Sequence, residues 1–306
     1  MKVINDVGNQ AIYNAIVASI QKPSETKLRV TELIDSPRIK RLRLLRWDDI
    51  EILASKQLFR LHGTHMHDLV ARNAATNTLT EEKLTIPIMR ETTGAQYHMS
   101  ICGTPDLYEE SGELSDYKFV SLWSFLRTKP EWSHQLNIYR RMLEIHGFSV
   151  KKMTIQATLR DWSASQACFN PDYPQSPFKA VDIPFEPNID KYIDERVDAH
   201  LAAIAELPLC SPEETWVKPT TWAVTKKGNK KAKAVFGTDK RPGNEADARD
   251  YIRQEIPEKD HRLFEVITRP GRVVRCEAYC DVALFCTQWQ MEKARLANET
   301  TDTEDS

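Results

Sequence analysis

The order of elements between Leu58 and Leu159 constrains this chain more than any other feature of it. The pattern from Leu58 to Ala75 predicts a helix carrying Gly63, His65 and His67. Segments 95–107 and 113–121 predict two strands of a hairpin turning at Glu110-Ser111-Gly112. Ser133 suits the N-cap of a helix from His134 to about His146, and Gly147 suits its C-cap. From Lys151 to Leu159, Met153, Ile155, Ala157 and Leu159 fall on one face, as in a half-buried strand. Helix, strand, strand, helix, strand describes an α/β core in which a mixed central sheet is flanked by helices.

The flanks of that core read differently. Residues 1–57 predict an N-terminal helical segment packing on the core, with Ile12, Ile16, Val17 and Ile20 before a break at Pro23-Ser24. A second helix start follows at Thr31-Glu32-Leu33-Ile34. After Pro37, the residues Arg38, Lys40, Arg41, Arg43 and Arg46 alternate with Leu42, Leu45 and Trp47, which suits an amphipathic surface segment. The core proper is assigned to 58–207. Residues 163–187, with five prolines, predict a long irregular connection. Ile189, Ile193, Val197, Leu201 and Ile204 then predict a helix.

Beyond Pro208 the composition shifts, and 208–290 reads as a small appended α+β subdomain. Trp222 to Thr225 and Ala232 to Phe236 flank a cationic hairpin tip at Lys226-Lys227-Gly228-Asn229-Lys230. A short helix begins at Asn244, a third strand runs from Leu263 to Thr268, and the acidic tail 291–306 is expected to be disordered.

A net charge of −2 over 306 residues gives no global attraction to nucleic acid, so such a surface must come from local clustering. No run approaches the about eighteen apolar residues of a membrane span, and the N-terminal residues lack the apolar stretch of a signal peptide. A cytoplasmic protein is expected. Its six cysteines are then thiols for core packing or metal binding rather than disulfides.

The chemistry concentrates around Gly103-Thr104-Pro105-Asp106 and Asp116-Tyr117-Lys118. Side chains two apart on a strand share a face, so Asp116 and Lys118 point the same way. A neighbouring strand through Met99 to Cys102 would deliver Asp106 to the same spot. Two carboxylates and an ammonium converging at strand ends can hold a divalent metal against a phosphodiester. Gly63-Thr64-His65-Met66-His67 precedes this set. Gln135 and Tyr139, four apart on one helical face, follow it.

In that order, Gly-x3-His, Gly-x-Pro-Asp, Asp-x-Lys and Gln-x3-Tyr resemble the PD-(D/E)XK nucleases over about residues 58–162. The resemblance is to the RecB-like branch, which includes phage-type exonucleases and the iron-sulfur nucleases of the CRISPR-associated and AddB types. It implies a restriction-endonuclease-like core and hydrolysis of DNA by a water activated on Mg²⁺ or Mn²⁺. By the same resemblance, His67, Asp106, Asp116 and the Tyr117 backbone carbonyl would be metal ligands. Lys118 would stabilise phosphoryl charge or orient the water, and Gln135 and Tyr139 would position Lys118 and the nucleic acid. Asp116 is shorter than the Glu that many relatives have. An exonuclease in recombination, repair or replication of a phage or mobile element follows, with a single-strand annealing or recombination protein as partner and homo-oligomers known among processive relatives. An endonuclease with the same centre and a silent nuclease-like DNA-binding or scaffold protein are the rivals, and RNA processing is a further one.

Cys276, Cys280 and Cys286, with Cys210, form a second constellation. Four thiolates can hold tetrahedral Zn²⁺ or a [4Fe–4S] cluster, and spacing does not choose between them. Similarity to the cluster-bearing relatives favours iron-sulfur, acting as a clip between appended subdomain and nuclease body. Cys102 reads as core and Cys168 as incidental. Arg41, Arg43, Lys226, Lys227, Lys230 and Lys231 are candidate phosphate contacts, which would bind without sequence preference.

Overall fold

The computed structural model describes residues 1–75, 78–80, 82–92, 95–126 and 129–304. It is a mixed α/β structure of two compact units, Met1–Pro208 and Leu209–Ser306.

The first unit is built on a five-stranded sheet in the order Phe178–Asp182, Lys152–Leu159, Glu113–Val120, Leu107–Glu109, Thr78–Leu79. Glu113–Val120 and Lys152–Leu159 are parallel, with Asp116 opposite Ile155 and Lys118 opposite Ala157. Every other pair in this sheet is antiparallel. A parallel pair needs a long crossover, and the helix Pro130–Ile145 lies within it. Leu136, Ile138, Met142 and Leu143 on that helix are fully buried in one cluster with Leu114, Met153 and Ile155. Burial of each such side chain contributes about 1.5–3 kcal/mol. The helix starts a turn earlier than Ser133 predicted, because Pro130 brings a preset φ to a position that needs no N–H donor. Ser133 lies inside the helix, where its carbonyl accepts from the Asn137 amide at 3.0 Å. Gly147, at φ +89°, ends it as expected.

A second sheet departs from the sequence reading. Ala95–Gly103 does not pair with Glu113–Val120. It lies between Lys27–Arg29, parallel to it, and Leu84–Thr92, antiparallel to it. The hairpin turning at Glu110-Ser111-Gly112 is real, but its first strand is only Leu107–Glu109. Two other expectations are corrected. Residues 1–57 are not purely helical, since Lys2–Ile4 pairs with Glu51–Leu53 and Lys27–Arg29 joins the second sheet. The proline-rich 163–187 stretch contains the helix Ala164–Phe169 and the edge strand Phe178–Asp182.

The basic segment is also not a solvated face. In the helix Pro37–Arg46, Arg38 and Lys40 are buried. Arg38 donates to the carbonyls of Leu207 and Pro208 at 3.3 and 3.0 Å, and Lys40 to the carbonyl of Lys27 at 3.0 Å. Backbone carbonyls thus satisfy donors of these buried cations.

The second unit holds the antiparallel sheet Ala232–Phe236, Thr221–Lys226, Phe264–Arg269. Helix Glu245–Glu255 packs on it through a core of Val224, Ala234, Phe236 and Ala248. Asn244 caps that helix, its side-chain oxygen accepting from the Ala246 and Asp247 amides at 2.8 and 3.3 Å. The tail expected to be disordered from 291 instead continues a helix, Thr287–Glu304. Met291, Ala294 and Leu296 favour helix, and Glu292 pairs with Arg295 at 2.6 Å a turn away. The last two residues of the expected tail lie outside the described residues. Among the described residues no helix is long and apolar enough to cross a membrane.

Candidate active centre

Asp106 arrives not on a strand but in the short passage between Ala95–Gly103 and Leu107–Glu109, where the chain steps from the second sheet to the first. Both of its oxygens are engaged. Oδ1 lies 2.9 Å from Nδ1 of His67, which projects from the helix Leu58–Arg72. Oδ2 accepts the backbone N–H of Tyr117 at 2.7 Å. The hydrogen bond to Asp106 raises the proton affinity of His67, against the opposing effect of its burial.

Asp116 and Lys118 share a face of Glu113–Val120, as the strand period requires. Asp116 is only 1% exposed. Its Oδ2 has the Lys118 ammonium at 2.7 Å, a close ionic contact off the hydrogen-bond direction, and its Oδ1 has no hydrogen-bond partner among the described residues. Burial pushes the Asp116 carboxyl up to about 6, with Lys118 opposing and Asp106 adding to the rise. Lys118 also donates to Oε1 of Gln135 at 2.9 Å, so the crossover helix fixes where the ammonium sits.

Tyr139, one turn further along that helix, is buried. Its oxygen takes hydrogen bonds from the Gln135 side chain and the Thr104 backbone, while burial and Asp116 hold its hydroxyl well above the usual tyrosine range. A relay therefore runs from Thr104 through Tyr139, Gln135 and Lys118 to Asp116. Gly103 makes room for it. A Cβ at that position would lie 2.5 Å from Cε1 of Tyr139 and 2.7 Å from Cγ2 of Val30. This gives Gly103 a steric role, and Thr104 a backbone one, that the motif spacing did not reveal.

The structure thus brings together His67, Asp106, Asp116, Tyr117, Lys118, Gln135 and Tyr139, while His65 is exposed. Among the described residues no three histidine, cysteine or carboxylate side chains converge tightly enough to hold a metal ion as they stand. The donor types nonetheless suit a hard cation, and the orphaned Oδ1 of buried Asp116 is an unmet demand for one.

All four cysteines of the second constellation lie in the second unit, so a group held by them closes that unit and does not clip it to the first. Burial pushes the Cys276 thiol up to about 11, and the nearby Cys210 and Cys286 thiols add to it. Burial likewise pushes Cys280 up to about 12. Cys210 is gripped from both sides by Gln288, whose Oε1 accepts the Cys210 N–H at 2.8 Å and whose Nε2 donates to the Cys210 carbonyl at 2.9 Å. A lone glutamine two residues after Cys286 carried no sequence signal for this. Cys102 is buried and Cys168 is exposed.

Among the candidate phosphate contacts, Lys226, Lys227, Lys230 and Lys231 are exposed around a turn in which Gly228 has φ +81°. Arg41 faces Glu25 at 3.7 Å with its side chain 20% exposed, and Arg43 is half-buried. An open basic surface belongs to the lysines rather than to these arginines.

Solved structures overlap with the chain, including two that cover half of it or more. The protein SSO0001 covers 67% of this chain and 86% of its own, at a TM-score of 0.46 and 15% identity. A phage related exonuclease from Haemophilus somnus 129PT covers 50% and 70%, at a TM-score of 0.27 and 18% identity. No family model and no curated protein matches the sequence. Likenesses this distant leave function to be argued from the centre itself.

Proposed function

We propose that the chain is a metal-dependent nuclease of the PD-(D/E)XK, RecB-like type, hydrolysing DNA phosphodiesters from an end. The observation that carries this reading is Asp116, a buried carboxylate with one oxygen orphaned and the other against Lys118. Structural ion pairs in cores satisfy their lone pairs, whereas a centre built to accept a cation leaves one open. Asp106, Asp116, His67 and the Tyr117 carbonyl would hold Mg²⁺ or Mn²⁺, which polarises a phosphoryl oxygen and acidifies water when bound.

The chain's own residues do the rest. His67 and the Tyr117 amide fix both oxygens of Asp106, so that carboxylate is oriented before any substrate arrives. Gln135, itself hydrogen-bonded to Tyr139, steadies Lys118 where charge develops on the phosphoryl group. The exposed lysines of the 226–231 turn supply sequence-independent attraction to phosphates.

End-labelled single- and double-stranded DNA with Mg²⁺ or Mn²⁺ tests activity directly, and a covalently closed circle separates exonuclease from endonuclease. Asp116→Asn and Lys118→Ala should each lower the rate by about 10²–10³-fold with an unchanged circular-dichroism spectrum. Wild-type rates in both variants would overturn the centre, and an inert, metal-replete wild type would favour the silent DNA-binding alternative.

We further propose that Cys210, Cys276, Cys280 and Cys286 hold a [4Fe–4S] cluster, with Zn²⁺ as the alternative. Cys210 and Cys286 each lie near enough to Cys276 to raise its thiol, which supports a shared ligand once the thiols draw together around it. Anaerobically purified protein should be brown. Colourless protein with stoichiometric zinc would replace the cluster, and neither metal would overturn both assignments.

A further inference from the structure

Beside the centre, between the helix Leu58–Arg72 and the outer face of the sheet, lies a cleft of about 190 Å³ that the proposed chemistry does not use. His67 borders it, and the strand carrying Lys118 runs along it. Its walls are Met66 and Val70 from the helix and Phe119 and Phe178 from the sheet, with Gln156 and Thr158 between them. Thr158 stands opposite both Phe119 and Phe178 in the strand register, so the aromatic positions flank a polar one. The Gln156 amide and Thr158 hydroxyl have no hydrogen-bond partner among the described residues.

Three properties narrow the occupant. The cleft is smaller than the about 300–1,000 Å³ of a pocket for a drug-sized ligand, which suits one planar ring system. Its walls are aromatic and thioether, favourable for stacking, while an amide and a hydroxyl face in with donors and acceptors free. Phe178 is 67% exposed, so its ring is open to a stacking partner. The surroundings continue the pattern. The Phe119 ring meets His62 edge-on at 6.1 Å, His62 meets Phe59 at 6.5 Å, and the Arg160 guanidinium lies 3.9 Å over the Phe59 ring. Phe59 is itself 57% exposed. Aromatic faces alternating with a guanidinium are the surface on which unpaired bases stack.

We propose that this cleft is a nucleobase subsite, holding an unpaired base next to the phosphate that the proposed centre would take. A base inside a duplex is stacked on both faces and cannot enter, so the bound strand is single or frayed at this position. The subsite rests on the nuclease reading for its register to the phosphate but not for its affinity. Stacking is sequence-tolerant, so any base should fit.

The test compares labelled oligothymidylate with an abasic oligonucleotide of the same length, by fluorescence anisotropy without metal and by cleavage with Mn²⁺. Loss of the base should weaken binding roughly 5- to 150-fold, the span expected for one stacked base. Phe178→Ala, a change at an exposed side chain, should erase most of that difference, and Gln156→Ala should lessen it. Equal binding of the two oligonucleotides with cleavage intact would overturn the subsite and leave the nuclease standing. Base-dependent binding that Phe178→Ala abolishes, in a protein that cuts nothing, would keep the subsite and overturn the nuclease reading. A base preference unchanged in Phe178→Ala would place the stacking elsewhere and overturn the assignment.

Discussion

Asp116 destabilises the fold whenever it is ionised. Its carboxyl rises from 3.8 to about 6 on burial. The folded state therefore holds the proton more tightly than the unfolded chain does. Stability from this group is complete below about pH 4 and falls away as pH climbs through about 6, by up to about 3 kcal/mol. Asp116→Asn should thus raise the melting temperature of metal-free protein at pH 7.5 and leave it nearly unchanged at pH 4, as read by thermal denaturation. Added Mn²⁺ should stabilise the wild type at pH 7.5 and not the variant. A variant that melts lower at both pH values would contradict the assignment of cost to the ionised carboxylate. At this scale the sequence was informative wherever a residue acts through its own side chain at a fixed spacing, as Asp116, Lys118, Gln135 and Tyr139 do. It was silent on Gly103, whose role is the space that Tyr139 needs, and on Gln288, whose partner Cys210 is remote in sequence.

Elements were legible where one period ran without interruption. Lys152–Leu159 and Ile189–Ala205 occupy almost the predicted residues because their apolar faces are regular. Leu84–Thr92 was missed although Leu84, Ile86 and Ile88 alternate inward, because Pro87 sits inside the run. The strand tolerates it as an edge strand, paired on one side only. The pattern over 95–103 marks a strand but not its partner, because hairpin proximity points to the next strand in sequence while Ala95–Gly103 pairs with Leu84–Thr92 and Lys27–Arg29. The crossover helix offers a test of its start. Were Ser133 the N-cap, Ser133→Ala would cost about 1 kcal/mol. Inside the helix the change should be within about 0.5 kcal/mol by urea denaturation, because the Asn137 amide keeps the Ser133 carbonyl and also donates to the Pro184 carbonyl.

The whole molecule divides after Pro208, and each unit has a core drawn from its own residues. All the residues of the proposed centre lie in the first. A fragment of residues 1–208 should melt cooperatively with native-like circular dichroism. Ending it at residue 200 should not, because buried Leu201 and Ala203 go, and Arg38 loses two of its acceptors, the carbonyls of Leu207 and Pro208.

The parallel pairing of Glu113–Val120 with Lys152–Leu159 also sets a timetable. Antiparallel neighbours can zip from a tight turn, but these two strands meet only after the intervening crossover has been made and folded back. Lys152–Leu159 completes the face on which the Gln135 helix packs, through Met153 and Ile155. A nascent chain emerging from the ribosome thus carries His67, Asp106, Asp116, Lys118, Gln135 and Tyr139 before the sheet that supports the proposed centre is complete. Synthesis order delays the assembly of the chemistry until the strand after it has been made.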